Sequence, residues 1–173
     1  MTPTSATCPP HLFRQGALLL AGVMLTITPV QAERGAPTSG PFVELLGTWS
    51  GTGSISLSTG SSERIRCQAA YASGDDLNNL RAVLRCASDS YKFELASDVT
   101  HGSGAITGAW KETSRNVTGP ISGTAQPGDL RANINMPGFA ADLNIKTQGN
   151  RQVVSLRSEG TELTGISITL SRK

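Results

Sequence analysis

The 173-residue sequence is poor in aromatic side chains, in histidine and in charge of either sign. Phe, Trp and Tyr together make up 5% of it, and there are two histidines, His11 and His101. Fifteen basic residues stand against 13 acidic ones, for a net charge of +2, with no run of one sign. This excludes the basic stripe that nucleic acid requires and a polybasic membrane contact. No apolar run approaches the ~20 residues of a membrane-spanning helix; Ala17–Leu25 is roughly half that length. No C-x-x-C pair is present, so neither a thioredoxin-type redox site nor a zinc knuckle is encoded. Asp75-Asp76 lacks the rest of a D-x-D-x-D-G calcium loop and reads as a hydrophilic turn. Gly102-Ser103-Gly104 is followed by neither Lys nor a helix, so it is no phosphate loop. His101 beside it reads as a solvated loop residue, and no G-x-S-x-G elbow accompanies it. Asn116-Val117-Thr118 fits a glycosylation sequon. No catalytic constellation and no metal or cofactor set emerges, and the expectation is a non-enzymatic protein.

What is present begins with an address. Met1–Gly16 is polar and carries Arg14 without an acidic residue, Ala17–Leu25 is apolar, and Val30-Gln31-Ala32 is an A-x-A-like cleavage site. These are the three parts of a secretory signal, placing export to a periplasmic or extracellular space at residues 1–32. Glu33–Pro41 reads as a flexible Gly- and Pro-containing leader, and residues 42–173 as one domain with no transmembrane segment. Cys8 leaves with the signal, so Cys67 and Cys86 remain. An even pair in an oxidising compartment points to one disulfide.

Within the domain, apolar and small residues recur at every second position and turn residues interrupt them every ten to fourteen. The first segment carries Trp49, Gly51, Gly53, Ile55 and Leu57, and the second Ile65, Cys67, Ala69 and Tyr71. Leu80, Ala82, Leu84 and Cys86 mark the third, and Tyr91, Phe93, Leu95 and Val99 the fourth. Further segments follow at Ile106–Trp110, Val117–Gly123, Leu130–Met136, Phe139–Ile145, Arg151–Arg157 and Ile166–Leu170. In the ninth, adjacent Val153 and Val154 leave the parity open. Sustained period-2 alternation describes antiparallel strands with one dry face. Ten strands in an open sheet would leave two unprotected edges, which closure removes. The expected fold is therefore an all-β, closed antiparallel up-and-down barrel of about ten strands, a two-sheet sandwich being the alternative. A hairpin centred on Asp76 and Leu77 sets Cys67 opposite Cys86, Ala69 opposite Leu84 and Tyr71 opposite Ala82, at a spacing that a disulfide spans.

Pro41–Leu46, stopped by Gly47, has the form of one helical turn. Gly47-Thr48-Trp49 follows it, and Arg172 lies on the inward parity of the last strand. In a closed meander Arg172 meets Trp49, guanidinium over indole. A short helical turn, a G-x-W on the first strand and an Arg on the last resemble the shared signature of the calycins: lipocalins, fatty-acid-binding proteins and avidins. The resemblance implies a barrel closed at the Trp49 end and open at the other. That open mouth would be rimmed by Ser58–Ser61, Ala87–Ser90, Thr113–Asn116, Met136–Gly138 and Ser158–Thr161. Near it fall Tyr91, Trp110, Glu112, Met136 and Phe139, with Arg115 and Arg157 on the rim. Aromatics with one or two charges around a concave mouth suit a small-molecule site, and the same residues suit the cap of a solid core.

Gly51, Gly53, Gly108, Gly119 and Gly123 all take the inward parity. Either they let strands coil tightly or they leave a cavity. The leading functional expectation is a small, partly apolar ligand held in the lumen. Biotin fits poorly, because the several tryptophans of an avidin pocket are unmatched. Small exported barrels with one disulfide and a G-x-W also resemble bacterial inhibitors of secreted metalloproteases, in which the N-terminal leader enters the protease cleft. An envelope structural or stress protein with a solid barrel is the third reading.

Overall fold

The computed structural model describes residues 39–136 and 138–173. The expected signal and residues 33–38 of the leader lie outside the described residues. Ten strands follow one another: β1 (Gly47–Leu57), β2 (Ser62–Ser73), β3 (Asn79–Ala87), β4 (Lys92–Gly102), β5 (Ala105–Glu112), β6 (Val117–Gln126), β7 (Asp129–Met136), β8 (Phe139–Gln148), β9 (Arg151–Glu159) and β10 (Leu163–Arg172). Each pairs antiparallel with its neighbour in sequence, and β10 pairs with β1, so the sheet is a closed barrel. The sandwich alternative is set aside by that closure.

The alternation survives almost unbroken: Ile65, Cys67, Ala69 and Tyr71 on β2 are buried while the residues between them are exposed. On β9 the parity is settled by Gln152, Val154 and Ser158, which are buried, so Val153 faces out. At His101 the structure differs from the expectation. His101 is not a loop residue but the penultimate residue of β4, opposite Ile106 and half-buried. The hairpin turns later, at Ser103 and Gly104, whose φ angles of 53° and 83° form the left-handed pair that a two-residue hairpin favours. The His101 ring meets Phe42 edge-on at 6.3 Å.

Cys67 and Cys86 are register partners and are bonded, with Cα atoms 4.2 Å apart. Ala69 opposes Leu84, and Tyr71 opposes Ala82. At the seam of closure Trp49 opposes Arg172, and the guanidinium lies 4.2 Å from the indole ring centre. The segment before β1 forms no helix. Its amides bond three residues back, Val43 to Gly40 and Leu45 to Phe42, in a tight pair of turns. Those turns drive Phe42 and Leu45 into the barrel end, both essentially inaccessible. The Trp49 Nε1–H donates to the Leu45 carbonyl at 2.7 Å. Arg172 donates to the carbonyls of Leu46 and Glu44. One cation thus stacks on the first strand and satisfies carbonyls of the turn that plugs it.

The inward glycines bend the wall. A Cβ at Gly51 would sit 1.9 Å from the Thr169 carbonyl oxygen, and one at Gly123 2.0 Å from that of Arg131. Gly108 stands likewise against Asp98. Neighbouring strands fold onto each other at these points more sharply than a side chain permits. β2 also contacts β10 across β1, and β4 contacts β6 across β5. The barrel therefore turns corners at β1 and β5, with broader walls between them.

Two outcomes follow. Gly51→Ala is expected to cost about 3 kcal/mol or more in chemical denaturation, through forced separation of β1 from β10. Gly165→Ala, whose Cβ would have its nearest neighbour at 3.4 Å, is expected to leave stability nearly unchanged. Replacing both Cys67 and Cys86 with Ala opens a link spanning 19 residues and is expected to lower unfolding free energy by about 3 kcal/mol.

Candidate functional site

Strand direction gives the barrel two unlike ends. The loops before β1, between β2 and β3, and after β10 lie at one end; those between β1 and β2, β3 and β4, β5 and β6, β7 and β8, and β9 and β10 lie at the other. The first end is sealed. Trp49, Leu45 and Leu170 show no exposure and Phe42 almost none. Behind them runs a buried polar chain: the Tyr71 hydroxyl donates to Gln152 Oε1 at 2.9 Å, and Gln152 Nε2–H donates to Thr147 Oγ1 at 3.1 Å. Burial pushes the Tyr71 phenol well above its ordinary range, so it stays neutral and donating. Buried polar groups are stable only when paired in this way. Sequence reading missed Gln152 and Thr147. Both sit at inward positions flanking the Gly149 turn, but the undecided parity of β9 hid the signal.

The middle of the barrel differs. Leu84, Leu95, Leu143, Leu156 and Ile166 all take the inward parity, yet each remains part-exposed, as does Ser97. β3 and β8 are five strands apart in a ring of ten, and so are β4 and β9. Leu84 and Leu143 therefore stand on facing walls, as do Leu95 and Leu156. Leu84, Leu143 and Ile166 pack against the buried core cluster and still keep part of their surface accessible. Interiors otherwise close to crystal density. These residues were legible as core, and their exposure depends on how the walls are spaced, which no single strand encodes.

The residues expected at the mouth are distributed as follows. Trp110 is half-buried on β5, opposite Ser97 and Gly119. Its indole lies close over Gly119: a Cβ there would be 2.8 Å from Nε1. The buried Nε1–H has no hydrogen-bond partner among the described residues. Glu112 is buried, and its work is local. Its carboxylate accepts the amides of Glu94 at 3.2 Å and Arg115 at 2.6 Å, and the Arg115 guanidinium stands 3.7 Å away. Burial by itself raises this carboxyl, but the amide hydrogen bonds outweigh it and hold Glu112 below the ordinary glutamate value. Glu112 thus clasps the β5–β6 turn, and Arg115 is an exposed partner in that clasp. Tyr91 lies in the β3–β4 turn, packed against the core, with its amide bonded to Ser88 Oγ at 2.9 Å. Phe139 is half-buried at the start of β8, opposite Met136 at the end of β7. Arg157 is exposed on the outward parity of β9, so it faces away from the lumen. Trp110, Phe139 and Tyr91 thus stand near the open end, on three different hairpins.

The outer surface also carries a groove of about 750 Å3 across β1–β4, bordered by Thr52, Arg66, Gln68, Arg85 and Lys92. These five residues take the outward parity, and Gly51, Cys67, Cys86 and Phe93 of the inward parity also line the groove.

No family model matches the chain, and no curated protein matches its sequence. Solved structures do. Rv2717c from M. tuberculosis superposes with a TM-score of 0.62 at 15% identity, over 78% of this chain and 98% of that one. The S-type phycobiliprotein lyase CPES from Guillardia theta superposes with a TM-score of 0.52 at 14% identity, over 76% of this chain and 90% of that one. At these identities the likeness is one of fold.

The Glu112 clasp has a pH signature. A carboxyl depressed in the folded state contributes stability above its unfolded value, near 4.5, and loses it as pH falls through the folded value. Glu112→Gln is expected to reduce stability at pH 7 by about 1.5 kcal/mol, the scale of hydrogen bonds to a charged acceptor. The difference from the parent should shrink as unfolding is followed from pH 5 downward.

Proposed function

We propose that this protein is a non-catalytic, exported binding protein that holds a small, partly apolar molecule in the mouth half of its barrel. The observation that carries the reading is the part-exposed set of inward aliphatics on facing walls, Leu84 and Leu95 against Leu143 and Leu156. A concave, mainly apolar space with few polar groups is what a small-molecule site needs. Here Ser97 supplies the polar element. The similar barrel from Guillardia theta is named as a phycobiliprotein lyase. Export rests on the N-terminal residue pattern and on a disulfide of the kind that persists in oxidising compartments.

A lumen-filling substitution tests the reading in both directions. Leu143→Trp adds bulk where space is inferred. The parent protein is expected to bind the lipophilic dye N-phenyl-1-naphthylamine with a fluorescence increase. The variant is expected to bind it at least tenfold more weakly, with stability changed by less than about 1 kcal/mol. A solid barrel behaves oppositely: the parent takes up no dye, and overpacking costs about 1–3 kcal/mol.

A further inference from the structure

The outer face of β1–β4 carries a second feature. Register places two rows of outward side chains side by side: Thr52, Arg66, Ala87 and Lys92, and next to them Ser50, Gln68, Arg85 and Glu94. Both rows line the groove of about 750 Å3, with Ser114 of the β5–β6 turn and Lys173 also on its border. Neighbouring strands lie roughly 4.8 Å apart, so Arg66 and Lys92, two strands apart, are separated by about 10 Å at the backbone. Arg85 donates twice to the Glu94 carboxylate, at 2.7 and 3.1 Å. That pair fixes the Arg85 side chain and engages Glu94, the only acidic side chain lining the groove among the described residues. Arg66 and Lys92 form no salt bridge among the described residues. A chain whose total charge is only +2 thus gathers unpaired cations in one concavity. Ala87 lies between Arg66 and Lys92, and neutral donors and acceptors border the groove around them: Ser50, Thr52, Gln68 and Ser114.

We infer that this groove binds an acidic glycan, a sugar chain carrying carboxylate or sulfate groups. Arg66 and Lys92 meet its charges about 10 Å apart, roughly the length of two sugar units, and the hydroxyl and amide side chains meet its hydroxyls. Charged hydrogen bonds to carboxylate or sulfate are the stronger part of such contacts. Two features select a glycan over other polyanions. Apart from Phe93, which takes the inward parity of β4, the groove's lining carries no aromatic side chain on which a nucleic-acid base would stack. The closed sheet also offers no free edge along which an acidic peptide would add as a strand.

The test uses the whole folded protein and three immobilised probes: polygalacturonate, poly-glutamate and single-stranded DNA, with neutral dextran as reference. Polygalacturonate is expected to bind most tightly at low ionic strength and to release as salt rises. Arg66→Gln/Lys92→Gln is expected to weaken that binding about tenfold. The control Lys146→Gln/Arg151→Gln, on the outward faces of β8 and β9, should leave it unchanged. Both pairs are surface substitutions, and matching thermal unfolding midpoints establish that both variants fold. Tighter binding of poly-glutamate or DNA would overturn the glycan assignment. Binding no stronger than to neutral dextran, or equal loss in the two variants, would overturn the site. Dye uptake in the lumen is read separately, so neither outcome depends on the other.

Discussion

The backbone hydrogen bonds between β1 and β10 remove the two edges that ten consecutive strands would otherwise expose. They run in register from Trp49 and Arg172 to the mouth, with one irregularity at Ser56 and Leu57. The contact that anchors them is the Arg172 guanidinium over the Trp49 indole. A cation–π contact of this kind is worth roughly 0.5–2 kcal/mol, which would not by itself close a barrel. Its effect is larger because the same guanidinium satisfies carbonyls of the turn that carries Phe42 and Leu45 into the lumen. Closure, capping and the plug share one side chain. Gly51 and Gly53 then permit β1 to lie against β10 without a Cβ between them.

The plug fills its end with Phe42, Leu45, Trp49 and Leu170, backed by the neutral Tyr71–Gln152–Thr147 chain. Beyond it, the walls are lined by leucines that pack against the core and remain part-exposed. Corners at β1 and β5 broaden the walls between them, so one sheet face looks into the lumen while its reverse carries the basic groove. The disulfide lies in the wall between these two surfaces, joining β2 to β3. Wall rigidity therefore serves both.

Much of the fold was legible from residue order. Opposition of Cys67 and Cys86 followed from the length of one hairpin, and opposition of Trp49 and Arg172 followed from closure of a meander. Both are properties of period-2 alternation, which local sequence carries well. His101 was misread because His101-Gly102-Ser103-Gly104 looks like a four-residue loop, whereas the left-handed geometry at Ser103 and Gly104 needs only two. The candidate site was less legible. Glu112 looked like a mouth charge open to a ligand, but its acceptors are taken by the amides of its own turn. The inward glycines left coiling and cavity undecided, since distance to the next strand's backbone is set by the whole ring. The groove on β1–β4 arises from rows that cross four strands, a pattern invisible along any one of them.

The central claim is that the lumen between the β3–β4 and β8–β9 walls is open space rather than packed core. Crystals of the protein pressurised with xenon, an apolar atom that settles in dry cavities, test it most directly. The account predicts xenon density between Leu84 and Leu95 on one wall and Leu143 and Leu156 on the other. Those side chains in van der Waals contact across the barrel, with no xenon between them, would contradict it.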